Sequence, residues 1–184
     1  MRLLFLKEYL KNIRNVGAIA PSSKFLARKM VAAIDFDRAN LIVEYGPGTG
    51  VFTKEIVNRM KPGTTLLVIE NNPAFHQKLN EKYEPQNDVE IINASAENID
   101  SLLKLRSLPT PDYVVSGLPF TALPASVSKK ILQDTSKLLG KKGEFITFQY
   151  TLLKKSLLET YFDDISVTRE LRNVPPAYIL RCRQ

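Results

Sequence analysis

The stretch "LIVEYGPGTG", residues 41–50, decides how the rest of the chain is read. An apolar, β-branched run ends in Glu44 and Tyr45, and Gly46, Gly48 and Gly50 follow at every second position. A short apolar run closed by glycines predicts a buried strand entering a tight turn, where bare backbone can approach a ligand. The spacing excludes two phosphate-binding loops. A dinucleotide fingerprint needs its third glycine five residues after the first, and Val51 stands there. A P-loop needs Gly-Lys followed by Ser or Thr, and "VFTK" (51–54) supplies neither.

Outward from this turn, β-branched runs alternate with helical patterns. Strands are expected at "LIVEY" (41–45), "TLLVIE" (65–70), "VEII" (89–92), "DYVVS" (112–116), "EFITFQY" (144–150), "ISVTRE" (165–170) and "AYILRC" (177–182). Helices are expected from Val51 to Met60, from Pro73 to Tyr83 and from near Glu97. The clearest helix is "PASVSKKILQDTSKLLG" (124–140), where Val127, Ile131, Leu132, Leu138 and Leu139 share a face and Gly140 ends the run. Strand–helix alternation with short links predicts a parallel sheet covered on both faces. The last two strands are joined only by "LRNVPP" (171–176), so they should form an antiparallel hairpin at one edge. Ligands of such sheets bind at the carboxyl ends of the strands.

The chain has 184 residues, 44% hydrophobic and 24% charged, which suits one globular domain with a full core. Residues 1–35 are expected to form N-terminal amphipathic and lid helices, and 36–184 the catalytic core. One cysteine and one histidine are too few for a structural zinc site, and no metal is expected. A lone cysteine also points to a reducing compartment, taken here as the cytoplasm. The formal net charge is +7, and residues 1–30 hold seven bases against Glu8 alone. An anionic partner should therefore meet the N-terminal segment.

There Leu3, Leu6, Leu10 and Ile13 form a stripe bordered by Lys7, Lys11 and Arg14. Such a helix can lie in a lipid interface, or its stripe can pack on the protein's own core. With Arg2 included and Glu8 subtracted, the segment carries a surplus of three cations. That is worth about 3 kcal/mol at an anionic leaflet, roughly a hundredfold in affinity.

Two further features sit at strand ends. Glu70 closes the second strand, where a carboxylate can accept both hydroxyls of a ribose. Ser95, Ala96 and Glu97 in "NASAEN" (93–98) could flank an adenine or cap a helix, and both roles are compatible.

"VEYGPGTG" (43–50), the acid Glu70 and "SGLPF" (116–120) together resemble the class I S-adenosylmethionine-dependent methyltransferases. The resemblance implies a Rossmann-like, mostly parallel seven-stranded sheet with an antiparallel C-terminal hairpin. It implies that Glu44, Gly46, Gly48 and Gly50 face the methionine part of the donor, Glu70 and Asn71 the ribose, and Ser95, Ala96 and Glu97 the adenine. Ser116 would complete that site, and Gly117, Leu118, Pro119 and Phe120 would form the rigid corner that touches the acceptor.

Ribosomal RNA adenine dimethyltransferases are similar in this corner but place an asparagine before the leucine, where this chain has Gly117. Bacterial phospholipid N-methyltransferases look more similar, through "VGAIAPSS" (16–23), "SGLPF" and "RNVPPAYILR" (172–181). That likeness implies N-methylation of a phosphatidylethanolamine headgroup or its methylated forms, by an enzyme bound peripherally to the inner face of the cell membrane. Arg2, Lys7, Lys11 and Arg14 would meet the anionic surface, and "GAIAPSS" would form a lid with Ser22 or Ser23 capping the next helix. Tyr9 and Tyr178 are candidates to meet the acceptor, and half-buried packing suits both equally. No obligate protein partner is inferred, and nucleic acid is disfavoured. The alternatives are an RNA adenine or small-amine methyltransferase, and a non-catalytic donor- or lipid-binding protein of this fold.

Overall fold

The computed structural model describes residues 23–184. Arg2, Lys7, Tyr9, Lys11, Arg14 and Ser22, and with them the amphipathic stripe and the lid, lie outside the described residues. Seven strands form one sheet: β1 (Leu41–Tyr45), β2 (Thr65–Ile69), β3 (Val89–Ile92), β4 (Tyr113–Ser116), β5 (Glu144–Gln149), β6 (Asp164–Glu170) and β7 (Ala177–Arg183). Their order is β3-β2-β1-β4-β5-β7-β6. The first five strands are parallel, and β7 runs antiparallel to both β5 and β6. This is the Rossmann-like sheet with a reversed hairpin that the sequence implied.

Six α-helices accompany it among the described residues: α1 (Lys24–Val31), α2 (Val51–Val57), α3 (Pro73–Tyr83), α4 (Ile99–Leu105), α5 (Ala125–Leu139) and α6 (Lys155–Glu159). All five residues of β1 are buried, as expected for a central strand with helices on both faces. Successive residues of a strand point to opposite faces, and the core divides accordingly. Ile42, Leu66, Val68, Val115 and Ile146 pack with residues of α1, α2 and α3, including Met30, Ile56 and Leu79. Leu41, Val43, Tyr45, Val114 and Phe145 pack with Ile99 and Leu103 of α4, Ile131 and Leu132 of α5 and Leu158 of α6. On that face the buried Tyr45 hydroxyl meets the Thr135 hydroxyl at 3.1 Å.

Several boundaries differ from the sequence expectation. The helix expected to reach Met60 ends at Val57, because Asn58 caps it and the chain tightens, with Arg59 N donating three residues back to Ile56 O at 2.9 Å. Glu70 and Tyr150 fall one residue beyond β2 and β5. Asp112 precedes β4, where its carboxylate accepts from Asn40 N at 2.7 Å and Leu41 N at 3.1 Å and steadies the start of β1. The segment at Glu97 begins as a 3-10 turn, Ala96–Asn98, before α4. Helix α6 has no counterpart among the expected helices, since its five residues are too few to show a helical period.

Helix α1 begins where Ser23 caps it, the hydroxyl accepting from Leu26 N at 3.2 Å. It buries Leu26, Ala27, Met30 and Val31 in the sheet core. From β1 the chain winds outward through β2 to β3, whereas β4 pairs on the other side of β1. The reversal of direction lies between β1 and β4, which is where a crevice forms in open parallel sheets.

Candidate active site

The turn after β1 and the turn after β4 meet in that crevice. Gly46, Gly48 and Gly50 have φ of +60°, +55° and +78°, in the left-handed region that disfavours side chains. Their surroundings differ. A Cβ on Gly46 would stand 2.6 Å from Leu118 Cδ2, and one on Gly50 would stand 2.5 Å from Leu79 Cδ2 on α3. A Cβ on Gly48 would meet nothing within 4 Å. Gly46 and Gly50 therefore serve close packing, while Gly48 presents bare backbone to open space. Gly48→Ala should lower donor affinity about tenfold, the equivalent of the 1–2 kcal/mol cost of a left-handed alanine. Calorimetric titration with the donor checks this, and unchanged affinity would mean the loop does not need that conformation.

Gly117 is held from the opposite side. Its amide donates to Tyr45 O at 2.8 Å, and a Cβ there would stand 2.5 Å from Gly46 O. The obstacle is backbone, so no side chain fits without displacing the glycine turn. The next residues form the expected corner. Leu118 N donates to Ser116 Oγ at 3.2 Å. Phe120 is buried, edge-on to Phe145 with ring centroids 6.0 Å apart.

Two carboxylates flank the turn, in opposite circumstances. Glu70 accepts from Gly48 N at 3.1 Å and from Asn72 N at 2.7 Å. Burial pushes its pKa up, and the amides of Asn72, Gly48 and Asn71 oppose the rise. Glu70 thus pins the glycine turn while keeping lone pairs for a ligand. Asn71 is exposed beside it, Asn72 caps α3, and Asn93 Nδ2 donates to Glu70 O at 2.8 Å.

Glu44 is fully buried, and neither carboxylate oxygen has a hydrogen-bond partner among the described residues. Burial pushes its carboxyl up to about 8, and the neighbouring Glu70 adds to the rise. The Thr53 hydroxyl and amide pull the other way, without a hydrogen bond from that hydroxyl to either carboxylate oxygen. A buried carboxylate without a partner is costly unless it stays protonated or meets a cation. A cationic ligand suits it, and an anionic phosphate does not.

The remaining candidates have partners of their own. Ser95 caps the 3-10 turn, accepting from Glu97 N at 3.3 Å and donating to Glu97 Oε2 at 3.2 Å, so the capping role is present. Ala96 is buried beside Ile69 and Ile99, and Glu97 is half-buried. A cleft of about 410 Å³ between α4 and α5 includes Glu97, but its Lys130 and Asp134 pair with each other at 2.6 Å. Ser23 N also donates to Asn173 Oδ1 at 3.0 Å, which ties α1 to the β6–β7 turn. Tyr178 is half-buried, with the Arg169 guanidinium 5.4 Å from its ring centre.

One residue of note was missed. Gln149, at the carboxyl end of β5, is 4% exposed, and both atoms of its amide lack a partner among the described residues. Register places it beside Tyr178 and, two residues beyond Thr147, on the same face as Ser116. The available signal was an amide ending the strand run "FITFQ" (145–149), where a polar side chain closes a mostly apolar stretch. Among the described residues no cluster of His, Cys, Asp or Glu could hold a metal ion.

The model of the ribosomal RNA adenine dimethylase family matches residues 21–159. The chain belongs to this family. Its members are class I S-adenosylmethionine-dependent methyltransferases, and the chain is one. Within the family its likenesses diverge. It is 30% identical to an ornithine lipid N-methyltransferase of Singulisphaera acidiphila, over 98% of this chain and 94% of that one. It is 27% identical to a probable ribosomal RNA small subunit methyltransferase A of Methanosarcina mazei, over 60% of this chain but 36% of that one. Among solved structures, the N-methyltransferase NodS of Bradyrhizobium japonicum with S-adenosyl-L-homocysteine superposes with a TM-score of 0.68. At 11% identity over 87% of each chain, that likeness speaks for the fold. The donor of this methyltransferase is S-adenosylmethionine, whose ammonium and sulfonium match the orphaned Glu44 and the phosphate-free glycine turn.

Proposed function

We propose that the protein is an N-methyltransferase acting on the headgroup amine of a membrane lipid, with phosphatidylethanolamine and ornithine lipid as the acceptors to test. The observation that carries this reading is at Gly117. In the RNA-modifying relatives that the corner resembles, an asparagine at this place orients a planar nucleobase amine. Here Gly46 O occupies the space of any side chain, 2.5 Å from a Cβ. An aliphatic amine has no plane to orient and does not need that hydrogen bond. The lipid-methylating relative, matched along 94% of its length, supports the same reading.

The donor supplies an electrophilic methyl group on a sulfonium, and methyl transfer is an in-line displacement by the amine nitrogen. The chain's contribution is mainly placement, which can lower a barrier by ~7–11 kcal/mol. Gly48 and Glu70, with Asn71 beside them, hold the ribose and methionine side, and Glu44 offers the negative charge. Ser95, Ala96 and Glu97 flank the adenine, with Ser116 closing the site. Leu118, Pro119 and Phe120 form the wall against which the amine docks. The amine must arrive unprotonated. An apolar wall disfavours the ammonium form, so the proton is lost to water before the nitrogen enters. His76 Nε2 lies 3.3 Å from Ile91 O on the outer helix α3, an unsuitable place for a general base. The unpartnered Gln149 carboxamide is the group that accepts a hydrogen bond from the incoming amine.

A second reading, methylation of an RNA adenine, draws on the name of the matching family. Labelled donor incubated separately with phosphatidylethanolamine, ornithine lipid and ribosomal RNA separates the two. Label is expected in a lipid fraction. Label confined to RNA would refute the proposal, and label in none would favour a donor-binding protein without activity.

A further inference from the structure

Large apolar side chains are exposed at few places among the described residues, and most of those places share one rim. Leu171 and Val174, 65% and 75% exposed, project from the β6–β7 turn. Leu152 and Leu153 project from the loop between β5 and α6. Register pairs Gln149 with Tyr178 and Glu170 with Ala177, so both connections leave the sheet at the same edge. Because β5 runs parallel to β4, this is also the edge that bears the glycine turn and the "SGLPF" corner. The exposed Phe25 of α1 joins the group through Arg172, whose guanidinium lies 4.4 Å from its ring centre.

The turn is held firmly while its apolar residues point outward. Asn173 is 2% exposed, donates to Pro175 O at 2.7 Å and accepts from Ser23 N at 3.0 Å. The turn and the segments beside it carry Lys24 next to Ser23, Lys29, Lys154 next to Leu153, Arg169 and Arg172, with Glu170 as the acid of the turn. Arg172 and Lys29 share Glu170, at 2.9 and 4.0 Å. Lys24, Lys154 and Arg169 have no carboxylate partner among the described residues. Exposed leucines framed by unpaired cations fit a bilayer interface, where apolar tips enter the acyl boundary and cations meet anionic headgroups. A nucleic acid would be met by the cations alone, leaving the leucines without a purpose.

We propose that the β6–β7 turn, with the β5–α6 loop beside it, docks on an anionic bilayer and brings the acceptor side of the active site against the headgroups. The proposal rests on the lipid reading above. It goes beyond it by assigning the contact to the folded core, in addition to any part played by the N-terminal segment. Each cation near an anionic leaflet should strengthen association about fivefold, and each inserted leucine or valine by at least tenfold.

The test is sedimentation of the full chain with vesicles of phosphatidylglycerol and phosphatidylcholine, and with phosphatidylcholine alone. Leu171→Glu/Val174→Glu should reduce association with the anionic vesicles by about a hundredfold or more. Donor affinity and methylation of the same lipid in detergent micelles should stay at the parental level. Leu105→Glu serves as the control: Leu105 is 80% exposed at the end of α4, which leads into the opposite edge of the sheet, and its loss should change nothing. Parental sedimentation of the double variant overturns the proposal and assigns docking elsewhere in the chain. Loss of self-association in that variant, with vesicle binding retained, overturns it in favour of a second copy of the chain. A parent that ignores vesicles yet methylates micellar lipid also overturns it, while the lipid activity stands. A parent that binds vesicles through the turn but methylates no lipid keeps the surface and removes the activity.

Discussion

Replacing Gly117 with asparagine is expected to lower donor affinity at least a hundredfold and to yield no methylation of RNA. The substitution restores the residue that RNA-modifying relatives place before the leucine, so side-chain chemistry alone would predict a gain of nucleobase recognition. Packing predicts the opposite. The new Cβ would stand 2.5 Å from Gly46 O and 3.5 Å from Phe52 Cε2. Neither turn can yield freely. Gly117 N is bonded to Tyr45 O at 2.8 Å and Gly46 N to Ile69 O at 2.9 Å, so each is stitched to a central strand. Relief must come from opening the glycine turn, which also releases Gly48 from Glu70. Breaking one such bond and straining a buried turn costs about 3 kcal/mol or more, which sets the hundredfold estimate. Calorimetry with the donor and a labelling assay on ribosomal RNA check both halves. Parental donor affinity in Gly117→Asn would show that the two turns do not constrain each other.

The second large effect concerns pH. In the donor-free protein the Glu44 carboxyl is pushed up to about 8 by burial, from an ordinary 4.5. Between those values the folded protein keeps a proton that the unfolded chain has lost. Stability from this group is therefore full below about pH 4.5 and declines as pH rises through 8. An offset of this size is worth up to about 5 kcal/mol, on the order of 10 °C in melting temperature for a chain of this length. Glu70, also raised by burial, acts in the same direction, so comparison with Glu44→Gln isolates Glu44. The glutamine variant should show a flatter melting profile between pH 5 and 8. Saturating donor should flatten the parental profile as well, because its positive charge favours the ionised carboxylate. Thermal melts across that range, with and without donor, provide the measurement. Equal slopes for parent and variant would mean that Glu44 finds a partner or water in solution.

Much of the fold could be read locally. All seven strands and five of the six described helices lay near their expected places, because β-branched runs, a helical stripe, a capping serine and turn glycines record burial and backbone chemistry residue by residue. Boundaries shifted where capping decided them, as at Asn58, or where ladder pairing stopped, as after Gln149, the last residue of β5 paired with β7. The glycine turn and Glu70 were legible for the same reason, since a strand end and a bare turn are local facts.

What stayed hidden depended on neighbours distant in sequence. The sequence alone determined the strand–helix order, the reversed hairpin, the glycine turn and the absence of a side chain at position 117. Only the tertiary structure decided that Gly117 must stay bare, because Gly46 O faces it from the turn after β1. It alone left Glu44 and Gln149 without partners and gathered Phe25, Leu152, Leu153, Leu171 and Val174 near one rim. Periodicity tells each residue whether it is buried; strand order and register determine what it is buried against.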